Sequence, residues 1–357
     1  MIVFDCHTKL GVKKLDRVPK EITLEMVRVT EAAALMASRY MGKGNKEIVD
    51  KVASDAMRGM LDYIDMQGVV VIGEGEKDKA PMLYIGEKVG NWEENTPELD
   101  ITVDPIDGTR LVAYGLPNAI SVIAATDRGA IEYLPTFYSY KLAVGPELAG
   151  KLDINASIRE NLKVAAAILN IDISELTVVI LNRERHREII EEVRRVGARI
   201  KLISDGDIAA AIATALPESY VNIYLGIGGS PEAILAAAAL KSLGGEIQLK
   251  LWPIDEKERN LMSEKGYDAS KVYKTDDLIK SDNVIFAATG VSDGDLLKGV
   301  KYSKNIAITE SIVMRSKTKT LRKIISHHNL KYKTIPLKSE GEVRFLNGKK
   351  MNEKEEE

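Results

Sequence analysis

From Pro19 to about Met41 apolar positions recur at helical spacing, with Met26, Val29, Ala33 and Met36 on one face and Gly42 placed to end the run. This predicts an amphipathic helix, and a second is expected from about Lys46 to Met66. The pattern then shortens to strand-like runs, GVVVIG, LDITV, AISVIAAT and AIEYLP, the last two joined by Asp-Arg-Gly as a hairpin-like turn. The first part of the chain is therefore expected to be α+β, two helices followed by a largely antiparallel sheet.

After AVGPELAGKLDINAS, strand and helix alternate. LTVVILN, RIKLIS and YVNIYLGIGG each precede a helical stretch, namely RHREIIEEVRRVG, DGDIAAAIATAL and SPEAILAAAALKSLGG. Such alternation means βαβ units and a doubly wound α/β domain with helices on both faces. A late strand, NVIFAATG, and an amphipathic segment to about His328 complete it. The expected organisation is an α+β domain over residues 1–155, an α/β domain over 156–335, and a disordered tail over 336–357 that ends in the polar NGKKMNEKEEE.

A chain of 357 residues that is 45% hydrophobic can bury a substantial core, and its length suits two domains. The net charge of -3 gives no basic field for nucleic acid. The basic run RSKTKTLRK, Arg315 to Lys323, is expected to be a solvated helix face. Cys6 is the sole cysteine, which rules out an intrachain disulfide and a cysteine-based zinc cluster and favours a reducing compartment. The first residues lack the pattern of a secretory signal, and no run reaches the roughly 20 apolar residues of a membrane span. A cytoplasmic protein without membrane or nucleic-acid partners is expected.

The chemistry concentrates where strands end. VVVIGEGEKDKAP places Glu74, Glu76 and Asp78 within five positions, and LDITVDPIDGTR follows with Asp104, Asp107 and Thr109. Pro105 biases Asp104 to extended backbone, and Gly108 permits a close approach after Asp107. Such a turn gathers two carboxylates and a hydroxyl, a hard-oxygen set that suits Mg²⁺ or Mn²⁺. The alternative for Asp-Pro-x-Asp-Gly is an Asx-type turn with solvated acids, and Glu76 is equally well a solvent-facing charge.

Two helix starts could hold phosphate. Asp205-Gly206-Asp207 precedes an Ala-rich helix whose free N–H groups would make an anion site, or one of the two acids simply caps it. In GIGGSPEAILAAAA, Gly226, Gly228 and Gly229 imitate a dinucleotide fingerprint, but Pro231 occupies the third-glycine position. Ser230-Pro231-Glu232 suits N-cap, N1 and an acidic first turn. Glu232 either favours the helix dipole or reaches a metal. Arg183 and Arg185 follow a strand end in NRERH, where they suit a sugar phosphate or the surface. His327 and His328 are expected to be solvated.

Taken in order, VVIGEGEKDKAPMLYIGEKVG, DPIDGTRLVAYG, ISDGDIAAAI, GIGGSPEAILAAAA and SDNVIFAATGVSDGDLLKGV resemble the class II, bacterial-type fructose-1,6-bisphosphatases. These stand within the lithium-sensitive, metal-dependent sugar and inositol phosphatases, and the resemblance runs from about Thr23 to Leu330. It implies a layered α-β-α-β-α fold and hydrolysis of the 1-phosphate of fructose 1,6-bisphosphate in gluconeogenesis, with Mn²⁺ or Mg²⁺, in a homodimer or homotetramer. Implied metal ligands are Asp50, Glu74, Asp104, Asp107 and Glu232. Implied substrate contacts are Asp107, Gly108, Thr109, Tyr138, Arg183, Glu184, Arg185, Asp205, Gly206, Asp207 and Gly229, and the residues implied in catalysis are Glu74, Asp78 and Thr109. Asp107 departs from the family, which often has Glu there, and LKLWPIDEKERNLMSEKG matches less well than its surroundings. Competing substrates are sedoheptulose 1,7-bisphosphate, an inositol monophosphate or a 3′-phosphorylated nucleotide; outside the class stand a nucleotide-binding oxidoreductase and a non-catalytic metal scaffold.

Overall fold

A computed structural model describes residues 22–73, 83–339 and 342–347. In chain order the elements are α1 (Ile22–Ala37), α2 (Lys46–Leu61), β1 (Gln67–Ile72), β2 (Lys88–Val89), β3 (Glu98–Asp107), α3 (Thr109–Ala113), β4 (Ile120–Asp127) and β5 (Tyr138–Val144). Next come α4 (Ile158–Leu169), β6 (Thr177–Leu181), α5 (Arg187–Val196), β7 (Arg199–Ile203), α6 (Asp207–Ala213), β8 (Ile223–Gly229), α7 (Ser230–Leu243) and β9 (Glu246–Trp252). The remainder is α8 (Glu256–Glu264), β10 (Tyr273–Lys274), α9 (Thr275–Leu278), β11 (Val284–Gly290), β12 (Lys301–Ser303), β13 (Ile306–Arg315), β14 (Thr320–Asn329), β15 (Thr334–Ser339) and β16 (Glu342–Asn347).

The strands form two large sheets and a hairpin. The first sheet runs β12-β13-β11-β4-β3-β1-β2, with β14 on β13; the second runs β10-β9-β5-β8-β6-β7; β15 pairs β16. Three apolar cores join the layers. Met26, Val29, Met57 and Leu61 of α1 and α2 pack on the first sheet, and α6 and α7 lie between the sheets. On the far face of the second sheet, Leu162, Ile190 and Val193 of α4 and α5 close the stack. The architecture is thus layered α-β-α-β-α, as the motifs imply. Its central helix explains the alanine run: Ala233 and Ala236 to Ala239 are buried between both sheets, where small side chains let the two layers approach.

Local signals set the helix ends. Asn45 caps α2 by accepting the Ile48 N–H at 3.1 Å, and Ser157 and Glu160 form a reciprocal capping box at α4. α1 is buried on nearly every side, so its pattern is more apolar than a surface helix needs. α2 ends at Leu61, earlier than its expected end at Met66.

Several expectations change. AIEYLP contributes only an isolated bridge, Ile131 to Ile279, and the strand after it is β5, whose buried Lys141 disguises its apolar character. β5 joins the second sheet while β11 to β14 return to the first, so a cut at residue 155 does not separate the sheets. The second sheet is parallel only through β7-β6-β8. RSKTKTLRK is a strand, a tight turn and a strand, because β13 and β14 pair along their length. His327 is exposed, but its neighbour His328 faces inward and meets Thr309 Oγ1 at 2.9 Å, so only one of the pair is solvated. The described part of the expected tail is not disordered: β15 pairs β16, Pro336 is buried, and Lys51 donates to Ser339 Oγ at 2.8 Å.

Candidate active site: carboxylates where the two sheets meet

Asp104 lies near the end of β3 and accepts the Ile106 N–H at 3.0 Å, an Asx-type turn over Pro105 that shifts the β3–β4 register before Asp107. Gly108 then takes a left-handed conformation, φ 91°, and starts α3. That turn carries Thr109 toward α2, where its hydroxyl donates to Asp50 Oδ1 at 2.5 Å. Asp50 is thereby joined to the Asp104–Thr109 turn, although its helical surroundings alone suggest a solvated face. β1 runs parallel to β3 with Ile72 opposite Thr102, so both strands end at one edge of the sheet. Glu74, Glu76 and Asp78 lie outside the described residues.

Asp107 crosses to the second layer. Its Oδ2 accepts the Ile208 N–H at 3.2 Å in the first turn of α6. The Ile208 N–H of that turn is thus taken by a side chain, and Gly206 stands at the N-cap of α6, which has no side-chain cap bond. Asp207 turns inward as well: its Oδ2 accepts Lys141 Nζ at 2.8 Å and the Tyr224 hydroxyl at 2.9 Å. Burial, with the charges of Asp207 and Glu232 beside it, pushes the Asp107 carboxyl well above the usual carboxylate range, against the pull of Ile208 and Lys141.

The GIGG stretch is built around side chains. A Cβ at Gly228 would stand 2.1 Å from Asp207 Oδ2, and one at Gly229 would stand 1.8 Å from Glu232 Oε2. Gly226, at φ 153°, has the His186 ring 3.2 Å from where its Cβ would be. Bare backbone here admits two carboxylates and an imidazole. The helix start is shifted by one from the expected pattern, with Gly229 as N-cap, while Ser230 Oγ meets Ser139 Oγ at 2.5 Å.

Around this cluster lie the expected phosphate contacts. Asp205 bridges two arginines, Oδ1 taking Arg183 Nη2 and Oδ2 taking Arg110 Nε at 2.8 Å. Arg185 donates Nε and Nη2 to the Ile227 carbonyl at 3.2 and 2.9 Å and stands 4.7 Å from the centre of the Tyr138 ring. Glu184 is not drawn in; its carboxylate pairs with Arg187 at the surface. A cavity of about 150 Å³ adjoins the site at Asp205 and Gly206 and extends past Lys201 and Tyr220, without touching Asp104, Asp107 or Glu232.

Three residues that make contacts within the candidate site were not singled out from the sequence. Arg110 follows Thr109 directly and shows only when Asp205 is brought to it. Lys141 lies in an unrecognised strand, and a buried lysine gives no periodic signal. His186 is hidden in a charged run.

The donor chemistry fits a hard divalent cation: Asp50, Asp104, Asp107 and Glu232 are all carboxylates, and the repulsion around Asp107 is what such a cation offsets. Among the described residues, however, no three His, Cys, Asp or Glu side chains form a ready-made cage.

Acids and a buried lysine between two sheets, with arginines beside them, make a layered α/β protein whose candidate site suits a divalent cation and an anion. The profile of bacterial, glpX-encoded fructose-1,6-bisphosphatase matches residues 20–328. The chain is 43% identical over 324 residues to fructose-1,6-bisphosphatase 1 class 2 of Escherichia coli K12, covering 87% of this chain and 96% of that one. The same identity and coverage hold for the fructose-1,6-bisphosphatase class 2 of Shigella flexneri. The chain belongs to the bacterial fructose-1,6-bisphosphatase family.

Proposed function

We infer that this chain is a phosphoric monoester hydrolase that takes the 1-phosphate from fructose 1,6-bisphosphate, with water giving fructose 6-phosphate and inorganic phosphate. The observation that carries the reading is the 43% identity, spread over 87% of the chain, to an enzyme named for that substrate. The bond from Ile208 N–H to Asp107 supports it, because it draws two of the motifs, Asp104 to Thr109 and Asp205 to Asp207, into one site.

Asp50, Glu74, Asp104, Asp107 and Glu232 are assigned to hold Mn²⁺ or Mg²⁺. A divalent ion held there would offset the repulsion between an anionic ester and its nucleophile and would lower the pKa of a water. Thr109 has its proton directed at Asp50, which leaves its oxygen lone pairs to accept from the attacking water. Asp78 is assigned as a further proton acceptor. Arg183, Arg185, Tyr138 and Gly229 are assigned to the sugar and its distal phosphate, with Asp205 fixing the fork of Arg183. Glu184 is assigned with them as a substrate contact, its exposed carboxylate standing beside Arg187.

The test is phosphate release from fructose 1,6-bisphosphate with Mn²⁺, with Mg²⁺ and with chelator, beside sedoheptulose 1,7-bisphosphate, an inositol monophosphate and a 3′-phosphorylated nucleotide. Metal-dependent release strongest on fructose 1,6-bisphosphate is expected; faster release from another ester moves the substrate, and none from any ester removes the function. No helix among the described residues is long and apolar enough to cross a membrane. We place the enzyme in the cytoplasm as a homodimer or homotetramer, which light scattering of the purified protein checks.

A further inference from the structure

β6 ends at Leu181, yet β8 continues to Gly229, and the parallel ladder between them is confined to Val178 with Ile223 and Val179 with Tyr224. Beyond it, the backbone of Ile227 turns its N–H and C=O toward a strand that is no longer there. Two consecutive side chains take the strand's place. The Ile227 N–H donates to His186 Nε2 at 2.7 Å, and the Ile227 carbonyl accepts from Arg185 Nε and Nη2. The far side of the ring closes the unit: His186 Nδ1 is 2.6 Å from the Leu181 carbonyl. A carbonyl only accepts and an N–H only donates, so the imidazole is neutral with its proton on Nδ1. The ring is wholly buried, against the bare backbone of Gly226.

We propose that His186 is a positioning residue for sugar-phosphate binding: it fixes the Ile227 peptide, and through that peptide's carbonyl it fixes the guanidinium of Arg185 against Tyr138. Two of the five guanidinium N–H donors are spent on Ile227, and the other three remain on an exposed side chain to meet an anion. A held fork gives a phosphate oxygen a prepared partner, whereas a swinging one loses side-chain freedom on every binding event. The inference rests on the reading of Arg185 as a substrate contact.

The decisive comparison is His186→Gln against His186→Asn. The glutamine amide oxygen reaches the position of Nε2 and can accept from Ile227; the shorter asparagine can serve only Leu181. His186→Asn should raise KM for fructose 1,6-bisphosphate roughly tenfold or more, the size of one charge-assisted hydrogen bond. Its kcat should stay near wild type, and turnover of fructose 1-phosphate, which has no distal phosphate, should be unaffected. His186→Gln should restore KM. Equal KM values for both variants and wild type, or equal losses on both substrates, would overturn the proposal.

A readout independent of substrate accompanies it. Imidazole ¹⁵N shifts of the full chain at neutral pH should show a protonated Nδ1 and a bare Nε2. A proton on Nε2 would overturn the proposal even in a protein that hydrolysed another ester. Failure of wild type on fructose 1,6-bisphosphate would count against the substrate and not against the ring.

Discussion

Replacing Lys141 by methionine keeps most of the side chain's bulk and removes its charge. The ammonium stands 2.8 Å from Asp207 Oδ2, with side-chain exposures of 2% and 7%, so water screens neither partner. Breaking such a pair from one side costs about 3–5 kcal/mol, because a buried charge is left uncompensated. Asp207 would retain the Tyr224 hydroxyl at 2.9 Å, but Asp107 would lose an attractive neighbour while Glu232 still repels it. The upper half of that range is expected, about 4–5 kcal/mol. Tyr224→Phe removes one hydrogen bond to a charged group and should cost less, about 1.5–3 kcal/mol. The assay is urea unfolding followed by circular dichroism, with chelator present so that no added cation stands in for the ammonium. A loss below about 1 kcal/mol, the worth of an exposed pair, would refute the claim that Lys141 holds the cluster together. A Tyr224→Phe loss exceeding that of Lys141→Met would refute it as well.

Other outcomes follow from the same geometry. Thr109→Val should lower kcat by about a hundredfold or more, the scale of a lost proton-transfer partner, with circular dichroism unchanged; substantial retained turnover would remove Thr109 from the chemistry. Arg110→Ala frees one oxygen of Asp205 and should raise KM more than it lowers kcat, whereas an unchanged KM would separate Asp205 from substrate binding. Burial lowers the folded-state pKa of His186 and of His328 below 6.5, so both states are neutral above that pH and only the unfolded chain takes up protons just below it. Stability should therefore fall as pH drops from 6.5 until the native rings protonate, by up to about 1.4 kcal/mol per pH unit for each ring, and His186→Gln should flatten the slope. A urea midpoint independent of pH between 5 and 6.5 would contradict this.

The layers were legible in outline because period alone separates a strand from a helix. Their assembly was not. β5 reads poorly because its core face carries Ser139 and Lys141, and only the partners of that lysine, Asp207 from α6 and Tyr224 from β8, make its burial tolerable. The return of β11 to β14 to the first sheet leaves no local mark, since a strand's partner is fixed by packing across layers and not by its own pattern. The tail misled for a related reason. Composition describes its polar residues well, but Pro336 is buried and Leu337 packs against the α1 and α2 core beside Ile335, and together they dock the hairpin's first strand.

The site divides along similar lines. Two recognisable strings, Asp104 to Thr109 and Asp205 to Asp207, lie side by side through the bond from the Ile208 N–H to Asp107, yet their contacts differ from those a motif suggests. The first turn of α6 looked like an anion site, and one of its N–H groups, that of Ile208, is taken by Asp107. The glycines of GIGG looked like a cofactor loop. Each admits a side chain from another element or from the next turn: His186 at Gly226, Asp207 at Gly228, Glu232 at Gly229. A motif records where the backbone must be bare; what fills the space is decided by residues distant in sequence. That distinction also separates the rival readings of this stretch, because a dinucleotide loop needs the space open, whereas here the protein's own carboxylates and imidazole occupy it. Any added methyl group should test it: Gly228→Ala would displace Asp207 from Lys141, so a variant with wild-type stability and KM would show that the strand tolerates a side chain and that the bare backbone serves something else.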